Sequence, residues 1–402
     1  MRRRAAVGAV LGCATVLLAA CGGQPADRAA PPRGATLAGD FGGSGPGTLV
    51  AAESIPDLDP QLRDVTALAA KITYLSTSGI NDSHPQVSGT VFEPKGDPPP
   101  GGWKIVAFGH PATGIQPECA PSASPTLLGS TPAVTTLVDA GFVVTVPDYQ
   151  GLGHTGSYHP FLDSTTEGYD LIDSVRAARK VVPDVSDTWV AYGIGQGGQA
   201  AWAANELTTD YRGGLTLAGA IAVRPTAVLD GLADAAAAGT LTRDQQLTLQ
   251  QFLAALAKEY DDFNPDAYRH GVVKDNWDVL SACWGQAYRD RSRVAALMGP
   301  DDLRPDGDDA TQVLRAYLHK TSLPQAPTAA PMVIVRDAPD GLIPPDQIDA
   351  ALARACAMGD VISSSAPEDG DPTAGLIGWI SYRFNGVPAQ NDCPAQTAPS
   401  TS

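Results

Sequence analysis

The residues from Thr188 to Trp202, TWVAYGIGQGGQAAW, pass from an apolar, β-branched and aromatic run through a glycine cluster into an Ala-rich helical sequence. A strand, a sharp turn and a helix read this way. At such a junction the frame Gly-x-Ser-x-Gly raises a serine above the sheet edge, where a base can reach its hydroxyl. Here the frame is Gly193-Ile194-Gly195-Gln196-Gly197, with glycine in the middle. That position holds a strained backbone, costing roughly 1 to 3 kcal/mol for a residue with a Cβ. Glycine escapes the penalty and brings no nucleophile. The same string also fits a plain Gly-rich strand-to-helix turn, and this stretch alone does not separate the two readings.

The elements that must position this turn follow from hydrophobic patterning. Ala70 to Ser78 and Gln86 to Glu93 alternate like paired strands joined at Gly79 to Asp82. Trp103 to Phe108 and Ala140 to Pro147 read as buried strands, followed by the polar strings Gly109 to Gly114 and Asp148 to His154. Glu167 to Lys180 has a helical apolar face, and Leu217 to Val223 is another strand. From Pro225 to Leu323 helical patterns dominate, as in Asp244 to Tyr260 with Thr242 as its cap, and Pro331 to Val335 is read as the last strand before a helix at Asp346 to Ala357. Alternation of strands and helices predicts a mostly parallel, doubly wound α/β sheet, and the helical stretch reads as an inserted cap.

Met1-Arg2-Arg3-Arg4 and the apolar run to Ala20 form an export signal too short for a transmembrane helix. Leu18-Ala19-Ala20-Cys21 resembles a bacterial lipobox, in which Cys21 becomes the lipid-modified first residue. The resulting division is signal 1–20, flexible tether 21–47, first part of the core 48–224, helical cap 225–325, last part of the core 326–393 and tail 394–402. Loss of the signal removes three arginines and no acid, so the formal charge of −17 falls to about −20. Such a surface excludes nucleic acid and is repelled by anionic membrane, so attachment has to come from the lipid. Cys119, Cys283, Cys356 and Cys393 suggest two disulfides in an exported chain, with three pairings open. No zinc-type spacing, phosphate loop or dinucleotide fingerprint is present, so neither metal nor cofactor is expected.

Several strings in order carry a resemblance. Gly109-His110-Pro111-Ala112-Thr113-Gly114 with Cys119-Ala120-Pro121-Ser122, Asp148-Tyr149-Gln150-Gly151-Leu152-Gly153 with His159-Pro160, and Val335 to Pro344 resemble segments of the secretory lipase family, the lipase A-like α/β-hydrolases of fungi and actinobacteria. The resemblance runs from about Gly47 to Cys393 and implies an α/β-hydrolase fold with a helical cap, acting on triacylglycerols or carboxylic esters. It puts the nucleophile at Gly195, the acid at Asp340, one oxyanion N–H on Gln196 and the oxyanion loop at His110. It also implies the pairs Cys119 with Cys283 and Cys356 with Cys393. The family's histidine belongs after the final strand, where this chain has Pro367 to Pro372, and all six histidines, at 84, 110, 154, 159, 270 and 319, precede Asp340. Pro111, where the family usually has glycine, has no N–H to offer an oxyanion.

Two members of a Ser, Asp, His triad are therefore missing, and loss of either removes most of the rate. The sequence predicts a lipid-anchored, exported member of that family without turnover, keeping a pocket for a lipid or acyl ligand. Two alternatives stand beside it. One is an esterase with another constellation, a cap histidine with Ser122, Ser124 or Ser157; the other is a partner-binding envelope protein whose acidic surface docks a basic ligand.

Overall fold

A computed structural model describes residues 34–154, 156–336, 341–365 and 372–394. Nine strands form one sheet: β1 (Leu49–Ser54), β2 (Thr66–Leu75), β3 (Gln86–Pro94), β4 (Trp103–Gly109), β5 (Val143–Pro147), β6 (Val185–Ile194), β7 (Thr216–Val223), β8 (Met332–Val335) and β9 (Ile362–Ser365). Their order across the sheet is β1-β2-β3-β5-β4-β6-β7-β8-β9. The pairings from β5 through β4 to β9 are parallel, whereas β1, β2 and β3 pair antiparallel and β3 joins β5 antiparallel.

Period-two alternation along the central strands feeds two cores. Ile105, Ala107, Trp189, Ala191, Ala220 and Ala222 point into one. Val106, Phe108, Val190, Tyr192, Ile221 and Val223 point into the other. Successive Cβ atoms of a strand leave on opposite faces, so a strand covered on both sides must be apolar throughout. The helices complete the layers: α1 (Pro60–Val65), α2 (Thr131–Asp139), α3 (Ser164–Val181), α4 (Gln196–Tyr211), α5 (Gly231–Ala238), α6 (Arg243–Glu259), α7 (Gly271–Asp275), α8 (Trp277–Ser281), α9 (Gly285–Ala295), α10 (Asp308–Thr321), α11 (Pro345–Ala357) and α12 (Thr373–Phe384).

Between β7 and β8 the described residues form helices α5 to α10 and no strand. Their apolar faces, including Leu253, Leu280 and Leu314, belong to the same buried cluster as α3 and α4, so this segment has no separate core. α6 begins where its sequence says it should: Thr242 Oγ1 accepts from Gln245 N at 3.3 Å while Gln245 Oε1 accepts from Thr242 N at 3.0 Å. Reciprocal bonds of this kind satisfy two backbone donors that the helix itself leaves over.

Two strands escape the sequence reading. Pro331 to Val335 is not the final strand, because β9 follows it and pairs with β8. β9 reads Ile-Ser-Ser-Ser and has no apolar alternation to announce it. At the other edge, β1 reads Leu-Val-Ala-Ala-Glu-Ser, with too few β-forming side chains to stand out. Part of the expected tether also proves to be attached: Thr36 bridges Glu53, Leu37 N donates to Ala52 O at 2.9 Å and Asp40 N to Lys180 O at 2.9 Å. Residues 21–33 and 395–402 lie outside the described residues. Among those described, no helix is long and apolar enough to cross a membrane.

Thr242→Ala removes the cap of α6 and its reciprocal bond. The unfolding free energy in urea should fall by about 1 kcal/mol, with an unchanged denaturant slope.

Candidate active site

β6 ends at Ile194, α4 begins at Gln196, and Gly195 makes the turn with φ +59° and ψ −116°. It is half-buried and fixed from three directions. Its N–H donates to Val223 O at 2.9 Å, and its carbonyl accepts from Gln199 N at 3.1 Å and Thr226 N at 3.0 Å. The neighbouring glycines meet a harder constraint. A Cβ on Gly193 would stand 1.9 Å from Gly197 O, and one on Gly197 would stand 1.9 Å from Gly109 O. Three backbones, from the ends of β4 and β6 and the start of α4, touch with no room for a side chain. Gly195 differs, because a Cβ there meets nothing nearer than Pro111 Cβ at 3.9 Å. Its positive φ disfavours a side chain, but space does not.

His110, in the loop after β4, is fully buried. Its Nδ1 lies 2.7 Å from Pro111 O and its Nε2 3.3 Å from Asp148 O, so both nitrogens face backbone carbonyls. Burial lowers its pKa, and its ring packs on Tyr149 at a centroid distance of 4.4 Å. His110 thus braces two strand ends. Pro111 beside it is half-buried and carries no N–H. Of the expected oxyanion donors, only the backbone N–H of Gln196 is chemically available.

Beneath the elbow lies a chain that the sequence reading did not single out. The Gln196 side-chain amide donates to Glu167 Oε1 at 2.6 Å and lies 3.0 Å from His159 Nε2. His159 Nδ1 lies 2.9 Å from Gln150 O. A neutral imidazole that donates through Nδ1 and accepts at Nε2 satisfies both contacts. Burial drives the His159 pKa down to about 3, so the ring is neutral at ordinary pH. The same burial raises Glu167 well above the carboxylate range, Asp170 to about 7 and Asp173 to about 6. These acids lie on α3 and accept from loop amides: Leu162 N to Glu167 Oε1 at 2.9 Å and Gln150 N to Asp170 Oδ2 at 2.7 Å. Glu167 falls within the expected helix, but its partner depends on how α3 meets α4.

All six histidines are described, and among the described residues none hydrogen-bonds a serine. His270 Nε2 lies 2.8 Å from Arg304 O, and His319 Nδ1 2.7 Å from Asp230 Oδ1. His84 Nδ1 lies 3.5 Å from Thr77 Oγ1, while the buried Nε2 of His154 has no partner among the described residues. Ser122 donates to Asp148, Ser124 pairs with Thr126, and Ser157 donates to Tyr158 O. The expected combination of a cap histidine with one of these serines is therefore not assembled. Asp340 and Cys21 lie outside the described residues. Among the described residues no group of three or more His, Cys, Asp or Glu could hold a metal ion. Both implied disulfides are present, Cys119 to Cys283 and Cys356 to Cys393.

Parallel strands β4 to β9, helices on both faces and a strained turn at the carboxyl end of β6 define an α/β-hydrolase. The model of the family described as "Secretory lipase" matches residues 129–392, and this chain belongs to that family. Lipase A of Arthroderma benhamiae is 25% identical over 290 residues, which cover 66% of this chain and 57% of that protein. This chain thus matches little more than half of that relative's length. Among solved structures, a rice cell wall degrading esterase from Xanthomonas oryzae superposes with TM-score 0.69 at 19% identity, covering 85% of this chain and 98% of its own. Candida antarctica lipase A in its closed state gives 0.67 at 18%, covering 89% and 87%. At these identities the structures establish a shared fold.

Gly195→Ser should fold, with a loss of about 1 to 3 kcal/mol from backbone strain, whereas Gly197→Ala should fail to give folded protein. Thermal melts and soluble yield read both. A pH profile tests the buried acids. With native pKa values raised above unfolded ones near 4, their stabilisation is present at low pH and lost as pH rises through the native values. His159, depressed to about 3, acts oppositely and reaches its full contribution above about pH 6.5. Between pH 6.5 and 8 the buried acids lose stabilisation while the last of the histidine contribution is gained, so Asp170→Asn, which removes an acid titrating at about 7, should make the melting temperature fall less, or rise more, across that window than in the parent.

Proposed function

We propose that this chain is an exported, lipid-anchored member of the secretory lipase family that does not turn over esters and instead holds a lipid or acyl ligand at the cap side of the sheet. One observation carries the reading: Gly195 occupies the apex of an otherwise intact elbow. Acyl transfer by this fold needs a hydroxyl at that apex and an imidazole to remove its proton. Gly195 offers hydrogen in place of the hydroxyl. The imidazole nearest in the bonding network, His159, spends one nitrogen on Gln150 O and the other on the Gln196 amide. No histidine follows Asp340 in the sequence, so the usual source of the base is missing as well.

With nucleophile and base both absent, the electrostatic remainder rests on the Gln196 N–H, since Pro111 withdraws its share. Serine proteases stripped of their triads keep about 10³ to 10⁴-fold acceleration over water from such remainders. Ester hydrolysis at that level is lost in the background of an ordinary assay. Family membership supports a lipid or acyl ligand, and the retained elbow and paired cysteines fit a fold maintained for binding. The anchor follows from Leu18-Ala19-Ala20-Cys21 behind a basic and apolar leader.

The full chain should take no fluorophosphonate label and release no product from short- or long-chain acyl esters above a buffer control. Saturable labelling, mapped by peptide mass spectrometry to any serine, would replace this reading with an esterase of unusual constellation. Mass spectrometry of the mature N-terminus should find a diacylglyceryl group on Cys21.

A further inference from the structure

At the end of the sheet away from the elbow, a cavity of about 440 Å³ opens beside the last turn of α3. Arg176, Arg179, Lys180, Asp184 and the glycines at 47 and 213 line it. Three cations and one carboxylate line it, and because Arg176 is ion-paired with the buried Asp173, the positive excess rests on Arg179 and Lys180, on a chain whose formal charge is −17. Arg176 is held in place, donating to Asp173 and to Tyr211 O while its guanidinium covers the Tyr211 ring at 4.4 Å. Lys180 Nζ donates to Gly42 O at 2.9 Å. Arg179 is exposed and has no hydrogen bond or ion pair among the described residues. Asp40, the nearby acid, turns its carboxylate onto Gly42 N at 2.9 Å.

The location gives this charge a meaning. β6 runs ten residues from Val185, in the pocket wall, to Ile194, beside the elbow. At about 3.3 Å per residue the two ends lie roughly 30 Å apart. The first described segment passes the pocket, with Asp40 N on Lys180 O and Gly47 in the wall, before it enters β1. From Gly34 back to Cys21 is a reach of at most roughly 45 Å. The described chain thus enters along β1, with Ala35 O on Ser54 N and Leu37 N on Ala52 O, and reaches the wall of the basic pocket at Asp40, while the rest of the acidic surface is repelled by anionic lipid.

We propose that this pocket binds the phosphoryl headgroup of an anionic phospholipid, docking the base of the sheet on the membrane and turning the elbow outward. The proposal rests on the Cys21 anchor for its setting. Guanidinium and ammonium donors suit phosphate oxygens, and the cavity is large enough for a headgroup. Basic residues in the last turn of a helix also complement its dipole, a role that requires neither the cavity nor the passing N-terminal segment.

The test uses the mature chain from residue 21 carrying Cys21→Ala, so that neither the basic apolar leader nor an acyl anchor contributes, in flotation with phosphatidylglycerol or phosphatidylcholine vesicles at low and physiological salt. The expected result is binding to phosphatidylglycerol only, weakened roughly 30-fold by Arg179→Gln with Lys180→Gln and reduced by added salt. Arg179→Gln alone, which breaks no contact, should give part of the loss with an unchanged melting temperature. Equal flotation of parent and variants would overturn the proposal. So would tight binding of inorganic phosphate without vesicle preference, which would make this a free-anion site. Mass spectrometry of the natural N-terminus tests the anchor separately, so failure of one is not read as failure of the other.

Discussion

The fold turns on a contact between three glycine backbones. Gly109 at the end of β4, Gly193 near the end of β6 and Gly197 in the first turn of α4 approach so closely that a single methyl group on Gly193 or Gly197 would overlap a carbonyl. This contact fixes the angle at which α4 leaves the sheet and aims residue 195 outward. The flanking glycines answer to sterics, and the middle position answers to chemistry. The flanking glycines therefore hold the turn whatever residue stands at 195, and glycine there avoids the strain that a side chain would impose.

Much of this was legible because the central strands are buried on both faces. Ile105–Phe108 and Trp189–Ile194, the parts of β4 and β6 nearest the elbow, are continuous apolar runs, and the glycine cluster beside them reads as a tight junction, whereas the polar start of β6 at Ser186 and Asp187 does not announce a strand. Thr242 was legible as a cap because capping is local chemistry. Edge strands β1 and β9 were not, since short segments of Ala and Ser gain their structure from a neighbour and not from their own pattern. The disulfide pairings came from family resemblance, because spacing left three connectivities open. The Glu167–Gln196–His159 chain was out of reach: it joins residues 37 positions apart or less, yet exists only because α3 packs on α4.

α3 also shows how a polar helix comes to be buried. Asp163, Glu167, Asp170 and Asp173 recur at helical spacing and form an acidic stripe on an inward face. Each carboxylate receives donors: Thr166 N on Asp163, Leu162 N on Glu167, Gln150 N on Asp170, and Tyr211 with Arg176 on Asp173. Loop amides with no strand to pair with thus find acceptors on a helix, and the loop after β5 is held to the layer beneath the elbow. The cost of desolvation appears as raised pKa values rather than as bare buried charge.

The bond between Cys119 and Cys283 spans 164 residues of chain. One cysteine follows the loop of His110 and Pro111, and the other lies between α8 and α9. The bond ties the turn between α8 and α9 to the segment that follows β4, so these two parts of the chain cannot separate while it is intact. Reduction of the bond would leave the helical segment between β7 and β8 joined to the sheet by its chain connections and apolar packing alone.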